Sequence, residues 1–281
     1  FREFLSGMRD LGYVEGKDFI LEWRFADGQY ERLPGLVAEL VQLKVDVIIA
    51  FASPAIRAAR QATTSIPIVF PSTGDPVGSG FVASLARPGG NITGVSNENV
   101  TVSAKLLELL MTVTPKLSRV ALLVNPGSST HASHLKTVQA DAQVVGVQVV
   151  SAEASTPDEI DRAFAGLPPK RVGAVIIASD SFFNQQWRQV ASLALKYRFP
   201  SITQRGPYAE AGGLMAYGGN NAENWRRTAA IVDKILKGSK PRDIPVEQPT
   251  KFQLFINLKT AKALSLTIPP SMLMRADKVI E

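Results

Sequence analysis

The residues with chemical potential sit in five short stretches. They are Ala52-Ser53-Pro54-Ala55, Pro71 to Ser79, Asn125-Pro-Gly-Ser-Ser-Thr130, Ser179-Asp-Ser-Phe-Phe-Asn184, and Tyr208 with the Gly212-Gly213 turn. All but the last directly follow a run of apolar residues that reads as a strand. In an open parallel sheet, ligands bind beyond the carboxyl ends of the strands, where helix N-termini aim their N–H groups. The stretches supply hydroxyls, amides and two carboxylates, Asp75 and Asp180. That set suits a small polar solute carrying a carboxylate or an ammonium. Phe182 and Phe183 come straight after a strand end, where core residues are less expected, so one of them is read as a ligand contact. Tyr217 ends a strand and is read the same way.

Other chemistries lack support. The chain has 0 cysteines, so disulfides, thiol nucleophiles and Cys-ligated metals are excluded. Its 2 histidines, His131 and His134, lie three apart near a helix start, with too few acidic neighbours for a metal site. No cofactor is expected. There is no G-x-G-x-x-G and no G-x-x-x-x-G-K-[ST], which removes motif support for dinucleotides and nucleoside triphosphates. No G-x-S-x-G elbow occurs. Lys and Arg total 31 against 25 Asp and Glu, but the net charge of +6 is scattered and aromatics are only 7%, so no nucleic-acid stripe is read. No apolar run reaches the roughly 18 residues of a membrane helix.

The elements that must position these residues alternate. Leu33, Leu36, Val37, Leu40 and Val41 share a helical face, so 30–44 reads as a helix. Val45–Phe51 and Ile66–Phe70 read as buried parallel strands. Between them runs a helix capped by Ser53, with Pro54 at its first position. A short helix at 78–86 and a strand at Ile92–Val95 follow. Later come helices at 102–113, about 131–145, Thr156 to Leu167, 183–198, and Asn221–Leu236 stopped by Gly238. Strands are read at Arg119–Val124, Val147–Ser151, Val172–Ala178, Ser201–Thr203, Gly213–Tyr217 and Phe252–Leu258. A helix at Lys259–Leu264 comes next, and a last one after Pro269-Pro270. Strands alternating with helices imply βαβ units and a mainly parallel sheet. With 281 residues, two doubly wound domains are expected. Phe1, Leu5, Met8 and Leu11 put a helix at the very start. Because α/β folds usually open on a strand, a segment upstream of Phe1 is expected.

Several segments together resemble the periplasmic substrate-binding proteins of ABC transporters, the family typified by tryptophan- and tyrosine-binding components. They are Asp75-Pro-Val-Gly-Ser-Gly-Phe through Ile92-Thr-Gly-Val-Ser96, and Glu210-Ala-Gly-Gly-Leu-Met-Ala-Tyr-Gly218. Ile235-Leu-Lys-Gly, Lys240-Pro-Arg-Asp-Ile-Pro-Val-Glu-Gln-Pro-Thr-Lys-Phe252 and Ile256-Asn-Leu-Lys-Thr-Ala-Lys-Ala-Leu264 fit too. The resemblance implies an α/β, type I periplasmic-binding-protein fold of two Rossmann-like doubly wound lobes joined by a three-segment hinge. One lobe would hold 1–98 and 219–247, the other 99–218 and 248–281, with crossings near 96–101, 217–221 and 245–250. It also implies a signal sequence and a first strand ahead of this chain. By position, Ser53, Pro54, Ala55, Thr73, Gly74 and Asp75 would line the ligand site from the first lobe. Asn125, Ser128, Ser129, Asp180, Phe182, Tyr208 and Tyr217 would line it from the second. The implied function is a non-enzymatic, monomeric solute carrier. It would bind an amino acid or aromatic organic acid in the interlobe cleft and deliver it to an ABC permease by lobe closure. The implied location is the periplasm, or the cell surface as an anchored lipoprotein. Two alternatives stay open: a sugar-binding sensor on the same fold, and a transferase-like α/β enzyme using Asp75 and Asp180.

Overall fold

The computed structural model describes residues 1–27, 29–96, 102–128, 131–249 and 251–281. In chain order the helices and strands are α1 (Arg2–Asp10), α2 (Leu33–Gln42), β1 (Ile48–Ile49), α3 (Ser53–Ala62), β2 (Ile68–Thr73) and β3 (Ile92–Ser96). Next come α4 (Val102–Val113), β4 (Arg119–Val124), α5 (His131–Val144), β5 (Gln148–Glu153), α6 (Pro157–Ala165), β6 (Ala174–Ile177), α7 (Ser181–Gln185) and α8 (Trp187–Lys196). The remainder are β7 (Ser201–Thr203), α9 (Gly206–Glu210), β8 (Met215–Gly219), α10 (Asn221–Leu236), β9 (Phe252–Asn257), α11 (Leu258–Ala263), α12 (Pro270–Met274) and β10 (Lys278–Ile280).

Contacts divide the chain into two compact units. Unit 1 holds Phe1–Glu98 with Asn220–Thr250, and unit 2 holds Asn99–Gly219 with Lys251–Glu281. Unit 1 carries a parallel sheet in the order β1-β2-β3, registered by Ile48 opposite Ile68 and Ile68 opposite Ile92. Every residue of β2 is buried, and alternation sends successive side chains to opposite faces. Ile68 and Phe70 pack with Ile48, Ile56 and Phe81 on one face. Val69 packs with Phe4, Met8, Val95 and Ile231 on the other. α1 and α10 cover that second face because Phe4, Gly7 and Met8 repeat at helical spacing. Gly7 lets the two helices approach closely, since a Cβ there would lie 2.9 Å from the Ala229 Cβ.

Unit 2 carries a seven-stranded sheet in the order β10-β9-β8-β7-β6-β4-β5. All neighbours are parallel except β8 and β9. Val120, Leu122 and Val124 face one core with α4 and α5, while Ala121 and Leu123 face the other with α6 and α8. Burying each large apolar side chain contributes about 1.5–3 kcal/mol. Caps close the helices where the sequence places them. The Thr156 hydroxyl accepts from Glu159 N, and the Asn220 side chain accepts from Ala222 N and Glu223 N. Gly238 follows α10 at φ 97°, the left-handed conformation that ends a helix.

Some expectations are corrected. No helix forms over 78–86: Pro76, Gly78 and Gly80 (φ 69°) hold the segment in successive turns. Ser53 does not cap α3 but begins it, and Ala52 occupies the cap position at φ 73°, ψ 151°. The 183–198 helix is two helices, broken at Gln186. Of Val45–Phe51 only Ile48–Ile49 pairs as strand, and β10 was not foreseen. Most of the expected 96–101 crossing lies outside the described residues.

Candidate binding edges

In unit 2, β4, β6, β7 and β8 end side by side. β4 runs into Asn125, whose side-chain N–H donates to Asp180 Oδ1 at 3.2 Å. The Asn125 Oδ1 in turn accepts from Gly127 N at 2.9 Å, and Ser128 N donates to the Asn125 carbonyl at 3.0 Å. β6 leads to Asp180, the N-cap of α7, and Asp180 Oδ1 also accepts from Phe182 N at 2.9 Å. Both bonds land on Oδ1, and among the described residues no bond to Oδ2 is seen. Asp180 is half-buried, so its charge is only partly screened by water. Phe182 is half-buried and tilts against the fully buried Phe183, with ring centroids 5.3 Å apart. Phe182 is thus the member of the pair with an accessible ring. In α7, the enclosed Asn184 Oδ1 has no hydrogen-bond partner among the described residues.

The same edge continues through β7 and β8. Thr203 opposite Ala216 sets the register, so Gln204 falls beside Tyr217 and Arg205 beside Gly218. A Cβ on Gly218 would lie 2.0 Å from the Gln204 carbonyl oxygen, so only glycine permits that approach. Tyr217 is half-buried and stacks on Phe252 at 5.7 Å between centroids. Burial of its ring raises the phenol above its ordinary pKa. Arg205 is surrounded by protein yet keeps some solvent contact, and burial lowers its guanidinium to about 10. It remains charged at neutral pH.

Tyr208 is corrected: it belongs to the core. It is 0% exposed, it donates to Ser201 Oγ at 2.6 Å, and its ring meets Trp187 edge-on at 5.5 Å. Burial raises its phenol strongly, with the Ser201 bond opposing. Ser129 lies outside the described residues. His131 starts α5 with Nε2 3.8 Å from Glu153 Oε1. Among the described residues no group of three or more His, Asp or Glu gathers as a metal site.

In unit 1, β1 leads through Ala52 into α3, whose first residues Ser53, Pro54 and Ala55 are half-buried. The positive φ of Ala52 costs on the order of 1–3 kcal/mol and turns the chain sharply into the helix. β2 ends at Thr73, which is 4% exposed, with an Oγ1 that has no hydrogen-bond partner among the described residues. Ser96 Oγ donates over longer distances toward the carbonyls of Thr73 (3.5 Å) and Gly74 (3.4 Å). Asp75 Oδ1 accepts from Gly78 N at 2.6 Å, which ties that carboxylate to its own turn. Just before α3, Phe51 is 45% exposed and stacks on Trp225 at 6.0 Å and 14°. Sequence reasoning missed Phe51, Trp225 and Arg205. An exposed phenylalanine at the end of a β-branched run was the available signal for Phe51.

Two α/β units, each offering hydroxyls and helix starts at the carboxyl edge of a parallel sheet, define the type I periplasmic-binding-protein class. The family profile described as ABC transporter substrate binding protein matches residues 2–280, and the chain belongs to that family. A tyrosine-binding protein of Clostridioides difficile is 27% identical over 263 residues, covering 94% of this chain and 75% of that protein. A Streptococcus pneumoniae ABC domain solved in complex with L-Trp is 25% identical. The match covers 100% of this chain and 94% of that one, with a TM-score of 0.91. A conserved domain protein of Vibrio cholerae is 27% identical with a TM-score of 0.94, covering 99% and 93% of the two chains.

Proposed function

We propose that this protein carries an amino-acid-like or aromatic carboxylate solute and delivers it to an ABC permease, working outside the cytoplasmic membrane. The observation that carries the reading is the half-buried Asp180 carboxylate at the unit 2 edge. One of its oxygens is fixed by Asn125 and Phe182 N, and the other is left to accept from a ligand ammonium. Phe182 supplies an accessible ring beside it for the apolar part of the solute. Taken by itself, the unit 1 edge carries Ser53, the Thr73 hydroxyl and the start of α3, groups of the kind that suit a carboxylate. A relative solved with L-Trp and another named for tyrosine support the same ligand class. No covalent step is required, and the chain acts by binding alone.

A thermal-shift and calorimetry series with L-tryptophan, L-tyrosine, ribose and a nucleotide tests this. Ligand at 100 times its dissociation constant should add about 2.7 kcal/mol of stability. For a chain of this size that is a rise of roughly 5–10 °C. Asp180→Ala should weaken amine-bearing ligands by about 10- to 100-fold. Preference for ribose, turnover of any compound, or an unchanged affinity in Asp180→Ala would count against the reading.

A further inference from the structure

The far end of α10 forms a basic recess in unit 1, away from the edges described above. α10 has 16 residues and so spans about 24 Å. Near its start it lies at the carboxyl edge of the unit 1 sheet, where Phe51, just beyond β1, stacks on Trp225. Its last turn lies toward the opposite edge, where Thr93 Oγ1, near the start of β3, donates to the Ile244 carbonyl at 2.7 Å. There the chain leaves α10, turns at Gly238 and passes through a 3₁₀ turn at Pro241–Asp243. A recess of about 500 Å³ opens between the two turns, lined by Lys234, Ser239, Lys240, Arg242, Asp243 and Ile244 among others. Backbone bonds fix its frame. Ser239 N donates to the Lys234 carbonyl and Gly238 N to the Ile235 carbonyl, each at 2.9 Å. That pattern closes the helix end and occupies carbonyls that would otherwise repel an anion. Asp243 N donates to the Lys240 carbonyl at 2.9 Å, and Ile244 is anchored in the unit 1 core.

We propose that this recess is a second binding site, for a phosphate-bearing group of small-molecule size. It stands apart from the solute site, because it uses the opposite end of the unit 1 sheet. Three of the lining side chains are bases and one is an acid. Among the described residues neither Lys234 nor Lys240 makes an ion pair or a side-chain hydrogen bond. The two acids beside them in the chain are already engaged. Asp233 accepts from Tyr13 Oη and pairs with Lys237, each at 2.8 Å. Asp243 pairs with Arg242 at 3.6 Å, and both side chains are well exposed. Such a pair holds weakly and can yield its guanidinium to an incoming anion. Two ammoniums and a forked guanidinium suit a phosphate better than a carboxylate. A phosphate monoester carries close to two negative charges at neutral pH and offers three acceptor oxygens. The volume falls within the range of about 300–1,000 Å³ typical of small-molecule sites, so it admits more than a bare ion.

The test combines calorimetry on the full chain with sn-glycerol 3-phosphate, glycerol and acetate, and co-sedimentation with phosphatidylcholine vesicles made with and without phosphatidylglycerol. The variants are Lys234→Gln/Lys240→Gln, Asp243→Asn and a net-charge control, Lys136→Gln/Lys170→Gln, which alters two exposed lysines of unit 2. Wild type should bind a phosphate probe at least about 10-fold more tightly than glycerol or acetate. Binding of glycerol 3-phosphate assigns the recess to a free organic phosphate. Binding of the phosphatidylglycerol vesicles alone assigns it to a lipid headgroup. In either case Lys234→Gln/Lys240→Gln should lose at least about 10-fold, while the control pair stays within about 2-fold of wild type. Raising the ionic strength from about 0.01 M to about 0.15 M shortens the screening length from about 30 Å to about 8 Å and should weaken binding to wild type. Asp243→Asn frees Arg242 and should tighten binding about 3-fold, a gain that misfolding cannot imitate. L-Tryptophan affinity should stay within about 2-fold in every variant, because the two sites share no side chain. Wild type binding neither phosphate probe, acetate binding as tightly as the phosphate, or an equal loss in the control pair would overturn the assignment.

Discussion

Replacing Tyr208 by phenylalanine separates two roles that its sequence position allows. Loop position marks it as a ligand contact, whereas the structure puts it in the core, hydroxyl-bonded to Ser201 Oγ at 2.6 Å with both residues buried. Removing the phenol oxygen leaves the Ser201 hydroxyl enclosed without that partner. A buried polar group left unsatisfied costs about 1–3 kcal/mol. Phenylalanine keeps the ring contact with Trp187, so no large cavity adds to the cost. For a chain of this size each kcal/mol lowers the melting temperature by about 2–4 °C, so scanning calorimetry should show a fall of roughly 2–12 °C. L-Tryptophan affinity should stay within about 2-fold of wild type. The variant should also lose part of the alkaline sensitivity. Burial raises the phenol above 10, so its contribution is complete below pH 10 and disappears as pH climbs past the folded value. An unchanged melting temperature combined with a tenfold loss of affinity would refute the placement of Tyr208 in the core.

Two further outcomes are expected. Thr73→Val removes an enclosed hydroxyl that has no partner among the described residues, and it keeps the shape of the side chain. It should stabilise the protein by about 1 kcal/mol in urea titration while weakening L-tryptophan at least 5-fold; destabilisation with unchanged binding would contradict it. Asp233, 8% exposed, accepts from Tyr13 Oη at 2.8 Å and pairs with Lys237 at 2.8 Å, and the Lys237 bond holds its carboxyl below the usual range. A depressed carboxylate contributes above the unfolded value of about 4 and ceases to contribute as pH falls through the folded one. The stability gap between wild type and Asp233→Asn should therefore be full at pH 7 and shrink as pH falls below the ordinary carboxylate range, as followed by fluorescence melts; a gap constant with pH would sink it.

Much of the scaffold could be read from periodicity. The buried runs Arg119–Val124 and Val172–Ala178, and the helices beginning after Thr156 and Asn220, leave strong local signals because pattern, cap and breaker agree. The 78–86 helix failed because local pattern competed with Gly80, whose φ of 69° belongs to a turn. Ala52 failed because nothing in an alanine announces a positive φ. Among the proposed site residues, Asn125, Asp180 and Phe182 come together at one edge. Their shared signal was position after a strand. Tyr208 shares that signal, yet the chain turns its ring inward, and a hydroxyl partner seven residues away is invisible to loop counting. Arg205 escaped for the opposite reason: an arginine in a turn looks solvated until the surrounding fold removes its water.

The interleaving of the two units has a consequence for biosynthesis. The face of β2 and β3 that carries Val69 and Val95 is covered by Ile231 and Val232 of α10. Those residues leave the ribosome only after the whole of 99–219 has been made. The first sheet must therefore wait, with one side only partly covered by Phe4 and Met8 of α1, through translation of most of its sister unit. A chaperone that shields nascent apolar surface would find its longest-lived target there, and a chain stopped near residue 98 should aggregate rather than fold.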